Sequence, residues 1–148
     1  MPADINEDPK EGESPKELVL RLAREKAFNV AKDNKKDWVI GADTIVTINN
    51  KILGKPKDKA DAKNMLSELN GTEHSVISGI GIFNINKNIE DVFASETKVI
   101  FRDLSASEID TYLETDEPYD KAGSYAIQGR AAKFIKSING SYTNVVGI

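Results

Sequence analysis

No cysteine occurs in this 148-residue sequence, and it has a single histidine, His74. Without cysteine there is no disulfide scaffold, no thiolate metal site and no cysteine nucleophile. One histidine excludes a multi-histidine zinc site within one chain. No apolar run approaches the ~18 residues of a membrane span, and no charged-then-apolar leader opens the chain, so no membrane partner is expected. Basic excess is also lacking. Lys and Arg total 20 against 24 Asp and Glu, a formal charge of −4, which argues against a nucleic-acid-binding face. The serines and the lone histidine give no nucleophile elbow and no triad, so serine hydrolysis is not expected. The expectation is a soluble, cytoplasmic domain whose chemistry rests on carboxylates, lysines and backbone amides.

What is present suffices for one domain. A chain of roughly 150 residues buries about 70% of its unfolded surface. A composition of 39% hydrophobic and 30% charged residues is a globular balance. The first thirteen residues are acidic and turn-forming. Helix signals follow together: Ser14 can cap, Pro15 suits the first helical position, and Glu17 completes a capping box. With Leu18 at 0° and 100° per residue, the apolar side chains to Ala31 fill an arc of roughly 220°. Lys26 projects at about 80°, inside that arc. A charge placed there needs an anionic partner, or must snorkel along the helix edge.

Trp38 to Ala42 (WVIGA) reads as a short, fully buried strand. IVTINNKIL predicts a hairpin turning at Asn49-Asn50. Asp58 can cap a second helix that carries Ala62, Met65, Leu66 and Leu69 on one face and stops at Gly71. Two or three longer strands are expected from His74 to Phe101, divided by a turn at Asn84 to Asn88. Ser105 and Glu108 form another capping box, with Leu104 and Ile109 as its hydrophobic staple, and that helix ends before Glu117-Pro118. The remainder alternates glycine-rich turns with short apolar pieces, and no closing helix is expected. The whole predicts a mixed α/β sheet protein.

Asp43 follows the WVIGA strand directly, which predicts a place at the carboxyl edge of the sheet, where open α/β sheets hold their ligands. There it could hold a divalent cation or deprotonate a water; it could equally cap the next turn. Lys55 and Lys121 sit in loops fixed by Gly54-Pro56 and Gly123, as phosphate-binding or simply solvated charges. Glu7 belongs to an acidic leader with Asp4, Asp8 and Glu11. Gln128, between apolar neighbours and glycine, could read a base edge or satisfy buried backbone. His74 is expected to be a hydrogen-bonded structural imidazole. Three lysines and one or two carboxylates form an inventory for holding polyphosphate through a metal ion.

Seven stretches in register carry a resemblance. RLAREKA (21–27), GADTIV (41–46), LGKP (53–56), MLSELNGTEH (65–74), DKAGSYAIQG (120–129), INGSYTNVVG (138–147) and the leader DINEDPKEGESP (4–15) closely resemble the Maf family of nucleoside triphosphate pyrophosphatases. The resemblance implies an α/β fold, Maf-like and akin to inosine triphosphate pyrophosphatase. Such a fold has an elongated, mixed, twisted sheet with flanking helices and a cleft between two lobes, here as a single domain over 1–148. It implies hydrolysis of a nucleoside triphosphate to the monophosphate and pyrophosphate with Mg²⁺ or Mn²⁺. Asp43 matches the proton acceptor, Glu7 and Asp43 the metal-side acids, and Lys26, Lys55 and Lys121 the phosphate-side lysines. Thr44 and Gln128 match the subgroup acting on dTTP and UTP. The implied partner is the nucleotide, with a homodimer compatible, and the implied setting is removal of unwanted pyrimidine nucleotides, linked to arrest of septum formation. The family's S-x-S-P-R-R loop and the segment after V-V-G-L-P have no match in the 148 residues. Truncation at both ends is therefore expected, with two triphosphate-facing arginines absent. This departure carries a second reading, a non-catalytic nucleotide- or metal-binding remnant. A third is a purine-type pyrophosphatase acting on deaminated nucleotides.

Overall fold

Ser14 opens the first helix. Its hydroxyl accepts the Glu17 N–H, Pro15 lies in the first turn, and helix α1 runs Pro15–Ala31. The structure, a computed structural model, describes residues 7–146; Asp4 and the Gly147-Ile148 end lie outside the described residues. Strands β1 (Val39–Ile48) and β2 (Lys51–Leu53), helix α2 (Lys59–Leu69), strands β3 (Glu73–Asn84) and β4 (Ile89–Phe101) and helix α3 (Ala106–Leu113) follow. Three 3₁₀ turns, strand β5 (Ile135–Asn139) and helix α4 (Tyr142–Val146) complete the order. The five strands form one sheet, ordered β2-β1-β3-β4-β5. This is the expected mixed α/β architecture. Among the described residues no helix is long and apolar enough to cross a membrane.

Local signals decide most of these elements. Asn49 and Asn50 both take positive φ, 50° and 63°, the conformation a two-residue hairpin requires, and Val46 to Ile48 pair antiparallel with Leu53 to Lys51. Asp58 caps α2 through the Asp61 N–H, and Ala62, Met65, Leu66 and Leu69 are its buried face. Ser105 and Glu108 form the reciprocal capping box of α3, and Leu104 and Ile109 are buried.

Three expectations are corrected. The WVIGA stretch is not fully buried, because only one face of the chain is covered there: Gly41 is buried, whereas Trp38 is 54% and Ile40 70% exposed. Asp43 is not at the end of a strand. The β-branched run Thr44 to Ile48 carries β1 five residues further, as such residues favour extended backbone. A short helix, α4, forms where none was expected. Its Asn144 side chain is buried and donates to the Val76 carbonyl at 3.0 Å and Thr97 Oγ1 at 2.8 Å.

The chain divides into two compact units, Met1–Thr44 with Ile77–Ser95, and Ile45–Val76 with Glu96–Ile148. In the first, α1 lies against glycines of β1 and β3. A Cβ on Gly41 would meet the Ala27 backbone nitrogen at 2.6 Å, and one on Gly79 the Val19 carbonyl oxygen at 2.3 Å. Only glycine permits so close an approach. In the second, α2, α3 and the strand segments enclose a core that includes Leu66, Val99, Phe101, Tyr112 and Phe134. His74 lies edge-on to Phe101 and Tyr125 there, with ring centroids 5.2 and 5.4 Å away.

Candidate functional site

Lys26 is the residue from which the site is built. Helical periodicity directs it toward the sheet rather than to solvent, and Gly41 draws the α1 backbone close to β1. The lysine stem is thereby brought over the strand. Two residues on, with the same strand parity, Asp43 meets it: Nζ donates to Asp43 Oδ1 at 2.7 Å. Glu7 Oε1 lies 2.8 Å from the same ammonium. The Asp43 side chain is 14% exposed and that of Glu7 59%, so one carboxylate is embedded and the other faces solvent.

Burial pushes the Asp43 carboxyl above its ordinary range, against the pull of Lys26, and the Glu7 charge pushes the same way. Burial alone would pull the Lys26 ammonium down. Its hydrogen bonds to Asp43 and Glu7 outweigh that, and its pKa is raised. The result is a carboxylate made more basic than an exposed aspartate, held by a cation that stays charged. Such a group can take a proton from water.

The segment that carries Glu7 is fastened to α1. Gly12, at φ +75°, allows a turn in which Glu13 N–H donates to the Lys10 carbonyl at 3.0 Å. Glu13 then receives Arg21 through two nitrogens, Nε at 2.7 Å and Nη2 at 3.0 Å. Arg21 Nη2 also donates to the Asp8 carbonyl at 3.0 Å. The Arg21 fork holds the Glu13 carboxyl down at about 2. Neither Arg21 nor Glu13 stood out in the sequence. Arg21 falls on the polar face of the helical wheel, and the turn that presents Glu13 depends on Gly12.

Thr44 leaves β1 on the face opposite Asp43, as strand alternation requires, and its hydroxyl lies 2.8 Å from the Ser78 hydroxyl. These residues all belong to the first unit.

The sequence profile described as "Maf-like protein" matches residues 1–148. The dTTP/UTP pyrophosphatase of Citrifermentans bemidjiense is 49% identical over 148 residues, all of this chain and 77% of its own length. That of Clostridioides difficile strain 630 is 48% identical over 147 residues, 98% of this chain and 75% of its own length. A third, from Bacillus cytotoxicus, is 47% identical over 135 residues, 91% of this chain and 70% of its own. The chain belongs to the Maf family.

The remaining residues matched to Maf motifs lie in the second unit. Lys55 and Lys121 are exposed, on loops stitched together where Gly123 N–H donates to the Gly54 carbonyl at 3.1 Å. Gly123, at φ +72°, packs on Val46. Gln128 is exposed on a turn closed by Gly129 N–H donating to the Ala126 carbonyl at 3.1 Å. Glu117 anchors that turn by accepting the Arg130 N–H at 3.0 Å. His74 is structural, as expected: Nε2 lies 2.6 Å from the Tyr125 hydroxyl, and burial lowers its pKa to about 4.

Among the described residues no three His, Asp or Glu side chains converge into a metal cage. Glu7 and Asp43 nevertheless supply two hard oxygen donors at one point. That set suits Mg²⁺ or Mn²⁺, which take their other ligands from water and phosphate.

Proposed function

We propose that this chain hydrolyses dTTP and UTP to the nucleoside monophosphate and pyrophosphate, acting on the cytoplasmic nucleotide pool. The observation that carries the reading is the half-buried Asp43 on Lys26, with Glu7 on the same ammonium. Motif context and the activity named for the similar proteins from C. difficile and C. bemidjiense support it.

Asp43 acts as the base. Its raised pKa, set by burial, favours taking the proton of the water that attacks the α-phosphate. Lys26 orients the carboxylate and then offsets negative charge developing on the phosphates, an effect larger in the transition state than in the ground state. Lys55 and Lys121 are assigned to the departing pyrophosphate, as flexible point charges suited to phosphate oxygens. Glu7 and Asp43 would hold the divalent cation, which when bound supplies charge neutralisation on the triphosphate. Thr44 and Gln128 are assigned to the base, a hydroxyl and an amide able to pair with the pyrimidine edge.

The test is product analysis by ³¹P NMR with dTTP, UTP, CTP, GTP and ITP in the presence of Mg²⁺. Pyrophosphate and monophosphate from dTTP and UTP are expected. Nucleotide binding without turnover would favour the non-catalytic reading. Preference for ITP would favour the purine-type reading.

A further inference from the structure

Among the described residues Arg21 has no hydrogen bond or ion pair with Lys26, Asp43 or the lysine loops, yet its guanidinium makes four hydrogen bonds. Two go to the Glu13 carboxylate, one to the Asp8 carbonyl and one, at 3.2 Å, to Glu25 on the next turn of α1. The Arg21 and Glu13 side chains are only 15% and 9% exposed, so the fork is shielded rather than a solvated surface pair. A bidentate guanidinium–carboxylate contact fixes direction as well as distance. Glu13 Oε1, the oxygen that accepts Arg21 Nη2, also accepts the Lys10 N–H at 3.1 Å. The turn at Gly12 and the Asp8 carbonyl are thus both fastened to α1 through one side chain. Asp8 is the neighbour of Glu7, and Glu7 is the solvent-facing carboxylate on Lys26. An exposed carboxylate on a free segment would lose side-chain and backbone entropy to reach that ammonium. A pinned neighbouring carbonyl removes most of that loss.

We propose that Arg21 is a positioning residue for the site: by clamping residues 8–13 to α1 it delivers Glu7 to Lys26. The clamp sets the place of the carboxylate assigned to the metal and leaves the Lys26–Asp43 contact to the helix and strand. Its catalytic meaning rests on the pyrophosphatase reading, whereas the clamp itself does not, and the experiment separates the two.

Zero-length carbodiimide coupling joins a carboxylate to an amine it touches, and peptide mass spectrometry reads the product without ligand or turnover. Glu7–Lys26 and Asp43–Lys26 links are both expected in the unaltered chain. In Arg21→Ala the Glu7–Lys26 link should fall about ten-fold, the size expected for losing a hydrogen bond to a charged group, while the Asp43–Lys26 link persists as an internal control of folding. Arg21→Lys, a point charge without the fork, should restore it only in part. A Glu7–Lys26 yield unchanged in Arg21→Ala, or no such link in the unaltered chain, overturns the clamp.

The second arm is the effect of Arg21→Ala and Glu7→Gln, singly and together, on Mn²⁺ affinity measured by electron paramagnetic resonance with α,β-imido-dTTP. If Arg21 acts through Glu7, the double variant is no weaker than Glu7→Gln alone. Additive losses overturn the delivery role. Loss of the cross-link in Arg21→Ala with no nucleotide-dependent Mn²⁺ binding in any form would leave the clamp standing and overturn the pyrophosphatase reading instead.

Discussion

Lys26 Nζ and Asp43 Oδ1 lie 2.7 Å apart, one from the fourth turn of α1 and the other from the middle of β1. The contact exists because Gly41, two residues before Asp43, lets the helix backbone approach the strand. Lys26 also meets the exposed Glu7 carboxylate, whereas Lys26 is the cation on the embedded Asp43.

Removing one partner should therefore cost more than removing both. Lys26→Met leaves an embedded carboxylate with no cation, and is expected to destabilise by about 2 kcal/mol. Methionine itself packs well in the apolar arc. Lys26→Met/Asp43→Asn should recover most of that loss. Urea unfolding of the two single variants and the double variant measures the coupling, and simple additivity would show that the pair is not structural.

Gly41→Ala should separate the helix from the strand. Its methyl group would lie 2.6 Å from the Ala27 nitrogen and 2.8 Å from the Ala23 carbonyl oxygen, both backbone atoms that cannot step aside alone. A loss of about 2 kcal/mol or more is expected, with a weakened Lys26–Asp43 cross-link. Thermal unfolding checks the first and carbodiimide coupling the second.

These two sites also show what was legible in the sequence. Lys26 could be singled out because a charge inside an apolar arc is a local conflict, visible from periodicity alone. The caps at Ser14, Asp58 and Ser105 and the Asn49-Asn50 turn were equally local, and each forms, with the reciprocal capping box seen at Ser105 and the hydroxyl half of the expected box at Ser14. The exposure of Trp38 and Ile40 was not legible, because it depends on which sheet face a helix covers. The length of β1 was misread because Asp43 interrupts an apolar run without interrupting the strand. Arg21 and Glu13 stayed hidden because they are eight residues apart and meet only after Gly12 turns the chain.

His74 predicts an acid limit to stability. Burial depresses its pKa from 6.5 to about 4, so the folded state resists the proton that the unfolded chain accepts. Its stabilising contribution is complete above pH 6.5 and is lost as pH falls from 6.5 to 4, by about 3 kcal/mol in all. Asp43, with a raised pKa, has the opposite sign, since protonation relieves its burial. Comparison with His74→Gln isolates the histidine part. Parallel stability–pH curves for the two proteins between pH 4 and 6.5 would show that His74 does not titrate in this way.

Base choice should be separable from phosphate chemistry. Gln128→Glu replaces an amide donor with a repelling carboxylate, and Thr44→Ala removes a hydroxyl that also bonds Ser78. Each should reduce the ratio of kcat/KM for UTP over CTP and GTP by about ten-fold or more, with part of the turnover retained. A ratio unmoved by both substitutions would remove these residues from base reading.

Asp43, embedded on Lys26, is proposed as the base of a pyrophosphate-releasing hydrolase. Pyrophosphate release from dTTP with Mg²⁺, compared between the unaltered chain and Asp43→Asn, tests it most directly. Asparagine keeps the size and the Lys26 hydrogen bond but cannot take the proton. Turnover is expected in the unaltered chain, with a loss of at least about 10²-fold in Asp43→Asn and the fold preserved. Turnover that survives largely intact in Asp43→Asn would contradict it.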